Sequence, residues 1–213
     1  MLRTRVIPAL LLKNHSLIKT VRFKNFTYVG DPANTVRIFN ELEVDELIFL
    51  DIEASSKKRK INYDVLTEIA NECFMPLGYG GGINSVEKAK RVFDIGFEKI
   101  AINSFSFSNP QLITEIANIY GSQSVIASID VRNSFFGIQS VRSFGGKKNT
   151  KIDPINWAKE VESRGAGEIL LTSIDREGTW KGFDLNLVQS VCSNVSIPVI
   201  AHGGAGSLND IAK

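Results

Sequence analysis

Cysteine, methionine, histidine and tryptophan are each present only twice in 213 residues, and these scarcities remove whole classes of chemistry. Two cysteines without metal-type spacing rule out a disulfide scaffold and fit a reducing cytoplasm; Cys73 and Cys192 are expected to be small buried hydrophobes. His15 and His202 have no metal-ligand companions nearby, so loop contacts or packing are their expected roles. No metal and no cofactor are called for, and no Ser-His-Asp or Cys-His arrangement stands out. Charge of one sign is also lacking: the net charge is +2, which leaves no electrostatic footprint for nucleic acid. The one basic run, Lys57-Lys58-Arg59-Lys60, reads as a solvated loop. No apolar run approaches the roughly 20 residues of a membrane span. Met1 to Arg5 lead into a short apolar stretch containing Pro8, which reads as a first strand and not as a secretory signal. With 43% apolar and 23% charged residues, the expectation is one soluble globular domain over residues 1–213.

What is present is a repeat. Asp31-Pro32-Ala33-Asn34 returns 122 residues later as Asp153-Pro154-Ile155-Asn156. Glu46-Leu47-Ile48-Phe49-Leu50 returns in the same register as Glu168-Ile169-Leu170-Leu171-Thr172, and Pro76 with Gly80-Gly81-Gly82 returns as Pro198 with His202-Gly203-Gly204. Two copies of one supersecondary block are implied, with halves of about 1–122 and 123–213.

Within each copy, short strand-like runs alternate with amphipathic stretches, the pattern of βα units around a parallel sheet. Seven strands are predicted: 5–11, 46–51, 75–79, 99–103, 124–130, 168–173 and 198–202. Asn84 with Glu87 three residues on suggests a capping box, and Asp153-Pro154 a cap followed by a first-turn proline. Two connections, 13–30 and 131–151, are far longer than ordinary βα loops and occupy the same place in each half. The first half has four units and the second three. The predicted fold is therefore an α/β (β/α)8 TIM barrel of two half-barrel repeats lacking its eighth βα unit, with two sheet edges exposed as a result.

On a barrel, chemistry belongs at the carboxyl ends of strands. Gly80-Gly81-Gly82-Ile83 and Gly203-Gly204-Ala205-Gly206 put bare backbone amides at strand-to-helix turns, suited to phosphate oxygens. Asn103 and Ser104 could complete the first of these sites. Two such clusters related by the repeat point to a substrate with a phosphate at each end; simple turn geometry is the alternative. With an offset of 119 between strands one and five, Asp130 falls opposite Leu11. Asp130 is thus a candidate general acid or base, a loop cap being its bland reading. Asp51, and Asp175 or Glu177, are candidates for binding substrate hydroxyls. Trp180 could cover substrate, with ordinary packing the safer reading. At the opposite end, Arg5, Glu46, Lys99 and Glu168 each begin a strand, and their own pattern favours a bracing ion-pair network on the barrel floor.

These residues together resemble the cyclase subunit of imidazole glycerol phosphate synthase. The resemblance rests on Phe49-Leu50-Asp51-Ile52, Gly80-Gly81-Gly82-Ile83, Gly121-Ser122-Gln123, the 145–150 and 164–176 segments, and Gly203-Gly204-Ala205-Gly206. It implies a glutaminase partner docked on the barrel floor, and ammonia passing through the barrel to a ribulosyl aminoimidazole substrate with two phosphates. The products implied are imidazole glycerol phosphate and an aminoimidazole carboxamide ribotide. Arg5, Glu46, Lys99 and Glu168 then match an ammonia gate, which displaces the bracing reading. Gly82, Asn103 and Ser104 match one phosphate site, Gly178 and Gly204 part of the other, Asp130 one catalytic aspartate, and Lys19 the lysine of the first loop.

The departures from the family fall on the chemistry. Leu11 replaces the other family aspartate, Thr27-Tyr28 replace an Arg-Asp pair, and Glu177 replaces an aspartate. Losing one general acid or base commonly costs about 10² to 10⁴ in rate. Three readings follow: a cyclase working through Asp130, a paralogue delivering ammonia to a sugar amidotransferase of surface-polysaccharide synthesis, and a non-catalytic scaffold that activates a glutaminase.

Overall fold

The computed structural model describes residues 5–55 and 59–212. Met1 to Thr4, which lead into the predicted first strand, and Lys57 and Lys58 of the basic run lie outside them. The described chain divides into two compact units, one formed by residues up to 19 and 27–101, the other by 20–26 and 102 onward.

The first unit is built on β1 (Ala9–Lys13) and the beginning of β2 (Ser16–Val21), with the later part of β3 (Lys24–Gly30) leading into α1 (Pro32–Glu41), while residues 20–26, from the end of β2 to the start of β3, belong to the second unit. Then β4 (Leu47–Asp51), α2 (Tyr63–Glu72), β5 (Leu77–Gly80), α3 (Val86–Ile95) and β6 (Lys99–Ile102) alternate. Strands β1, β4, β5 and β6 are parallel neighbours in that order, and β2 folds back antiparallel on β1. Pro8 has no N–H to give to a ladder, and β1 begins only after it, later than the sequence suggests. Its carbonyl still accepts from Ile48 N–H at 3.0 Å.

The second unit contains α4 (Gln111–Tyr120), β7 (Val125–Asn133), β8 (Gln139–Ser143), β9 (Lys148–Asn149) and α5 (Pro154–Ser163). After these come β10 (Glu168–Ser173), α6 (Leu185–Cys192), β11 (Val199–His202) and α7 (Leu208–Ala212). Here β7, β10 and β11 are parallel neighbours, while β8 folds back on β7 and β9 on β8. The two long connections are therefore not plain loops. Each sends an antiparallel strand back along the strand it leaves. Parallel strands alternating with helices in both units fit a TIM barrel.

The repeat holds at the level of single rungs. Leu47 pairs with Leu77 and Leu50 with Gly80; Ile169 pairs with Val199 and Thr172 with His202. Even the entry to the ladder is copied: Leu47 N–H donates to the Pro76 carbonyl at 3.0 Å and Ile169 N–H to that of Pro198 at 2.9 Å. Asp31 caps α1 and Asp153 caps α5, each followed by proline in the first turn. Such caps contribute about 1 kcal/mol each. In α3 the cap is Ser85, which accepts from Lys88 N–H at 3.3 Å. That displaces the expected Asn84–Glu87 box, because Glu87 then falls one position short of the third helical residue.

Each unit buries its own apolar layer. Ile48, Phe49, Ile69 and Ile100 are fully buried in the first, Ile113, Ile126, Ile129 and Ile169 in the second. Each such side chain contributes roughly 1.5–3 kcal/mol of burial. The cysteines are not core residues: Cys73 is half-buried and Cys192 exposed. Both terminate helices, where the apolar face runs out. Among the described residues no helix is long and apolar enough to cross a membrane.

Candidate active site

Three neighbouring strands of the second unit bring one polar row together. Asp130 on β7 is the rung partner of Thr172 on β10, and Thr172 is the rung partner of His202 on β11. Partners on adjacent parallel strands present their side chains to the same side of the sheet. Accordingly, Thr172 Oγ1 lies 3.1 Å from His202 Nδ1. On the other side of Asp130 in the ladder stands Arg142 of β8. The same row in the first unit reads Leu11, Leu50 and Gly80. One copy is polar and the other apolar.

Asp130 is 8% exposed, and its carboxyl is pushed up to about 7, chiefly because burial penalises the charged form. Hydrogen bonds from Asn103 and Thr172 work against that rise, while the nearby Glu177 charge adds to it. A chain of donors fixes the Asn103 amide. Phe144 N–H donates to Ser104 Oγ at 2.8 Å, Ser104 donates to Asn103 Oδ1 at 3.3 Å, and Asn103 Nδ2 donates to Asp130 Oδ2 at 2.9 Å. A carboxyl that is half protonated near neutral pH can both take and give a proton. Burial lowers the pKa of His202 and the Glu177 charge partly opposes this, so the imidazole is held neutral.

Glu177 is not a free substrate ligand. It is 6% exposed and accepts from Thr20 Oγ1 at 2.7 Å and from Phe23 N–H at 2.8 Å, while its own carbonyl accepts from Arg22 N–H at 2.9 Å. Asp175 joins the same clamp: its carbonyl accepts from Arg22 Nε at 3.2 Å and its carboxylate from Asn133 N–H at 2.8 Å. The segment 20–26 is thereby tied down over the turn that follows β10. Gly178 is required there, since a Cβ would strike the Thr20 carbonyl. Beside the clamp a hollow of about 670 Å³ is lined by Arg22, Lys24, Arg132 and Lys181, with Asp175 as its one acid and Gly178 in its wall. Four cations around one carboxylate favour an anionic guest.

The remaining predicted residues are placed as follows. Gly204, at φ 112°, packs its backbone against the Gly182 carbonyl, and its own carbonyl accepts from Gly182 N–H at 2.8 Å, leaving no space for a side chain. In the first unit Gly82 N–H donates to Ser55 Oγ at 3.3 Å. Asp51 Oδ1 accepts from Glu53 and Ala54 N–H, both at 2.9 Å, and burial raises its carboxyl while these bonds lower it. Lys19 is exposed on β2. Arg5 and Lys99 both reach Glu46 Oε2, at 3.2 and 2.8 Å, and Glu46 is 3% exposed. Glu168, its repeat partner, is buried at the start of β10 in the other unit. His15 makes only the expected loop contact, 3.4 Å from Asn62. Trp180 is exposed, so ordinary packing does not describe it. Among the described residues no group of His, Cys, Asp and Glu could hold a metal ion.

The family of histidine biosynthesis proteins matches residues 5–213. The chain belongs to this family. A Pseudomonas aeruginosa relative, provisionally named imidazole glycerol phosphate synthase subunit hisF2, is 54% identical, covering 99% of this chain and 84% of the relative. A Vibrio vulnificus relative with the provisional name hisF3 is 46% identical over 100% of the chain and 82% of its own length. The Streptococcus mutans imidazole glycerol phosphate synthase subunit HisF is 43% identical over 100% of the chain and 85% of its own length.

Within this histidine biosynthesis fold, sequence reasoning missed Thr172, the Glu177 clamp and the basic hollow. Thr172 carried a signal, as the polar residue where the repeat has Leu50 inside an apolar run. The clamp carried none. It depends on main-chain donors of residues 22 and 23, which any sequence supplies.

Proposed function

We propose that this chain is the barrel subunit of a two-component glutamine amidotransferase of the imidazole glycerol phosphate synthase type, acting as one cytoplasmic domain. Ammonia released by a glutaminase partner at the barrel floor enters past Arg5, Glu46, Lys99 and Glu168. It reacts with the ribulosyl aminoimidazole carboxamide ribotide to give imidazole glycerol phosphate and the aminoimidazole carboxamide ribotide. Gly82, Asn103 and Ser104 hold one phosphate, Gly178 and Gly204 the other, Asp51 binds substrate hydroxyls, and Lys19 of the first loop contacts the substrate. The basic hollow beside Gly178 supports an anionic substrate. The observation that carries the reading is Asp130, a buried carboxyl on β7 level with Thr172 near the carboxyl end of β10, which burial pushes up to about 7, suited to an acid and base for ring closure.

Purified protein supplied with ammonium and the ribulosyl substrate should form the imidazole product, and Asp130→Asn should abolish it. Absence of product at saturating ammonium sinks the reading. A second reading, an ammonia-delivering paralogue serving a sugar amidotransferase, is favoured by Leu11 standing at the rung that mirrors Asp130. It predicts no imidazole product, but a stimulated glutaminase whose ammonia appears in an aminated sugar.

A further inference from the structure

The polar row of the second unit has a fourth member for which the chemistry above gives no role. Arg142 of β8 is the cross-strand partner of Asp130, so the two side chains stand on the same face of the hairpin. In the first unit the antiparallel partner of Leu11 is Ile18. The repeat thus sets Arg142, Asp130, Thr172 and His202 against Ile18, Leu11, Leu50 and Gly80. A guanidinium is always charged and carries five N–H donors. Yet Arg142 Nε is buried without a hydrogen-bond partner, and among the described residues the side chain makes no ion pair, even with Asp130 beside it. Buried donors in folded chains are nearly always paired, so Arg142 is short of an acceptor that a ligand can supply.

Its surroundings say which acceptor. Phe144, two residues along β8 and beyond its end, donates its N–H to Ser104 Oγ at 2.8 Å, and Asp130 on the facing rung accepts from Asn103 Nδ2 at 2.9 Å. Arg142 therefore neighbours two residues expected at one phosphate, and neither of them is charged. Both retain donor capacity: Asn103 Nδ2 has a second hydrogen with no acceptor among the described residues, and the Ser104 hydroxyl is committed only to a long 3.3 Å contact. Arg132, two residues beyond Asp130 and so on the same face, lines the basic hollow and adds positive charge. A guanidinium fork takes two oxygens of an oxyanion. A carboxylate has no third oxygen for Asn103 and Ser104, whereas a phosphate has. We infer that Arg142 is the cationic ligand of a phosphate monoester that Asn103 and Ser104 hold with it. This role rests on the phosphate site of the proposed function but not on turnover.

The probe is ribulose 5-phosphate, titrated into the uniformly ¹⁵N-labelled chain, with the Arg142 Nε–H signal assigned by its loss in Arg142→Lys. The Arg142 Nε–H and the Phe144 amide should shift together and saturate at one ligand concentration. Inorganic phosphate should move the same two signals, and ribulose and acetate should move neither. Calorimetric affinity for ribulose 5-phosphate should fall about tenfold or more in Arg142→Met and recover in part in Arg142→Lys. An Arg142 Nε–H that stays still while ribulose 5-phosphate binds overturns the role even if the methionine variant does not fold. So does a failure of ribulose 5-phosphate to bind, an equal response to acetate, or an unchanged affinity in a folded Arg142→Met. Where cyclisation is measurable, Arg142→Met should raise KM for the ribulosyl substrate about tenfold or more and change kcat less. Cyclisation with KM unmoved overturns the role and leaves the cyclase reading. No cyclisation, with ribulose 5-phosphate bound through Arg142, removes the cyclase reading and leaves the role standing.

Discussion

Leu11 in β1 and Asp130 in β7 occupy the same rung of two copies of one ladder: Leu11 pairs with Leu50, and Asp130 with Thr172 of the repeat. A carboxylate placed at residue 11 would sit at the rung that mirrors Asp130. Leu11→Asp should raise ammonium-dependent cyclisation by about 10²-fold, the ordinary contribution of a positioned acid or base. Product formation measured beside the unaltered chain checks this; no gain would mean that Leu11 is not the limiting departure.

Asp130 should also leave its mark on stability. Its folded pKa, about 7, is above the ordinary 3.8, so between these values the folded chain binds more protons than the unfolded one. Stability associated with the protonated carboxyl is complete below about 4 and is lost as pH rises through about 7. Asp130→Asn removes the charge that burial penalises. The variant should melt higher than the parent at pH 8, by at most about 4 kcal/mol, and show no such gain at pH 4.

The clamp on segment 20–26 gives a local readout. Glu177→Ala removes the acceptor of both Thr20 Oγ1 and Phe23 N–H; stranding a buried donor costs about 1–3 kcal/mol. Hydrogen exchange at the Phe23 amide should quicken at least tenfold, with the amides of β4 unchanged. Equal acceleration throughout would show that Glu177 supports the whole fold and not this segment.

At the other end of the first unit, Glu46 receives two cations while 3% exposed. Removing one member of a buried ion pair costs about 3–5 kcal/mol, whereas an exposed partner contributes under about 1 kcal/mol. Glu46→Ala should therefore destabilise strongly in urea titrations and Arg5→Ala only slightly, since Arg5 is well exposed. Comparable losses from the two would mean that Arg5 is buried in the working assembly.

The sequence made the parallel strands, the Asp-Pro caps and the Leu11–Asp130 correspondence legible because each has a local or periodic signal. An offset between copies needs no contact information. The antiparallel strands hidden in the long connections had no such signal. Residues 24–29 are all exposed, so no face alternates, and the turn before them places Arg22 and Phe23 at φ 54° and 61° where a glycine or asparagine would have announced it. Glu177 looked like a substrate ligand because its type is catalytic; only the fold shows its oxygens occupied. Cys192 was misplaced because apolar periodicity says nothing of where a helix leaves the core.

The Pro198 carbonyl that accepts Ile169 N–H starts the β10–β11 pairing, and His202 is carried four residues beyond it. Because strand side chains alternate, a single residue inserted between these two positions would turn the imidazole to the opposite surface of the sheet. Such an indel would disconnect His202 from Thr172 while sparing the apolar rungs below, so the polar row can be dismantled with the sheet left whole.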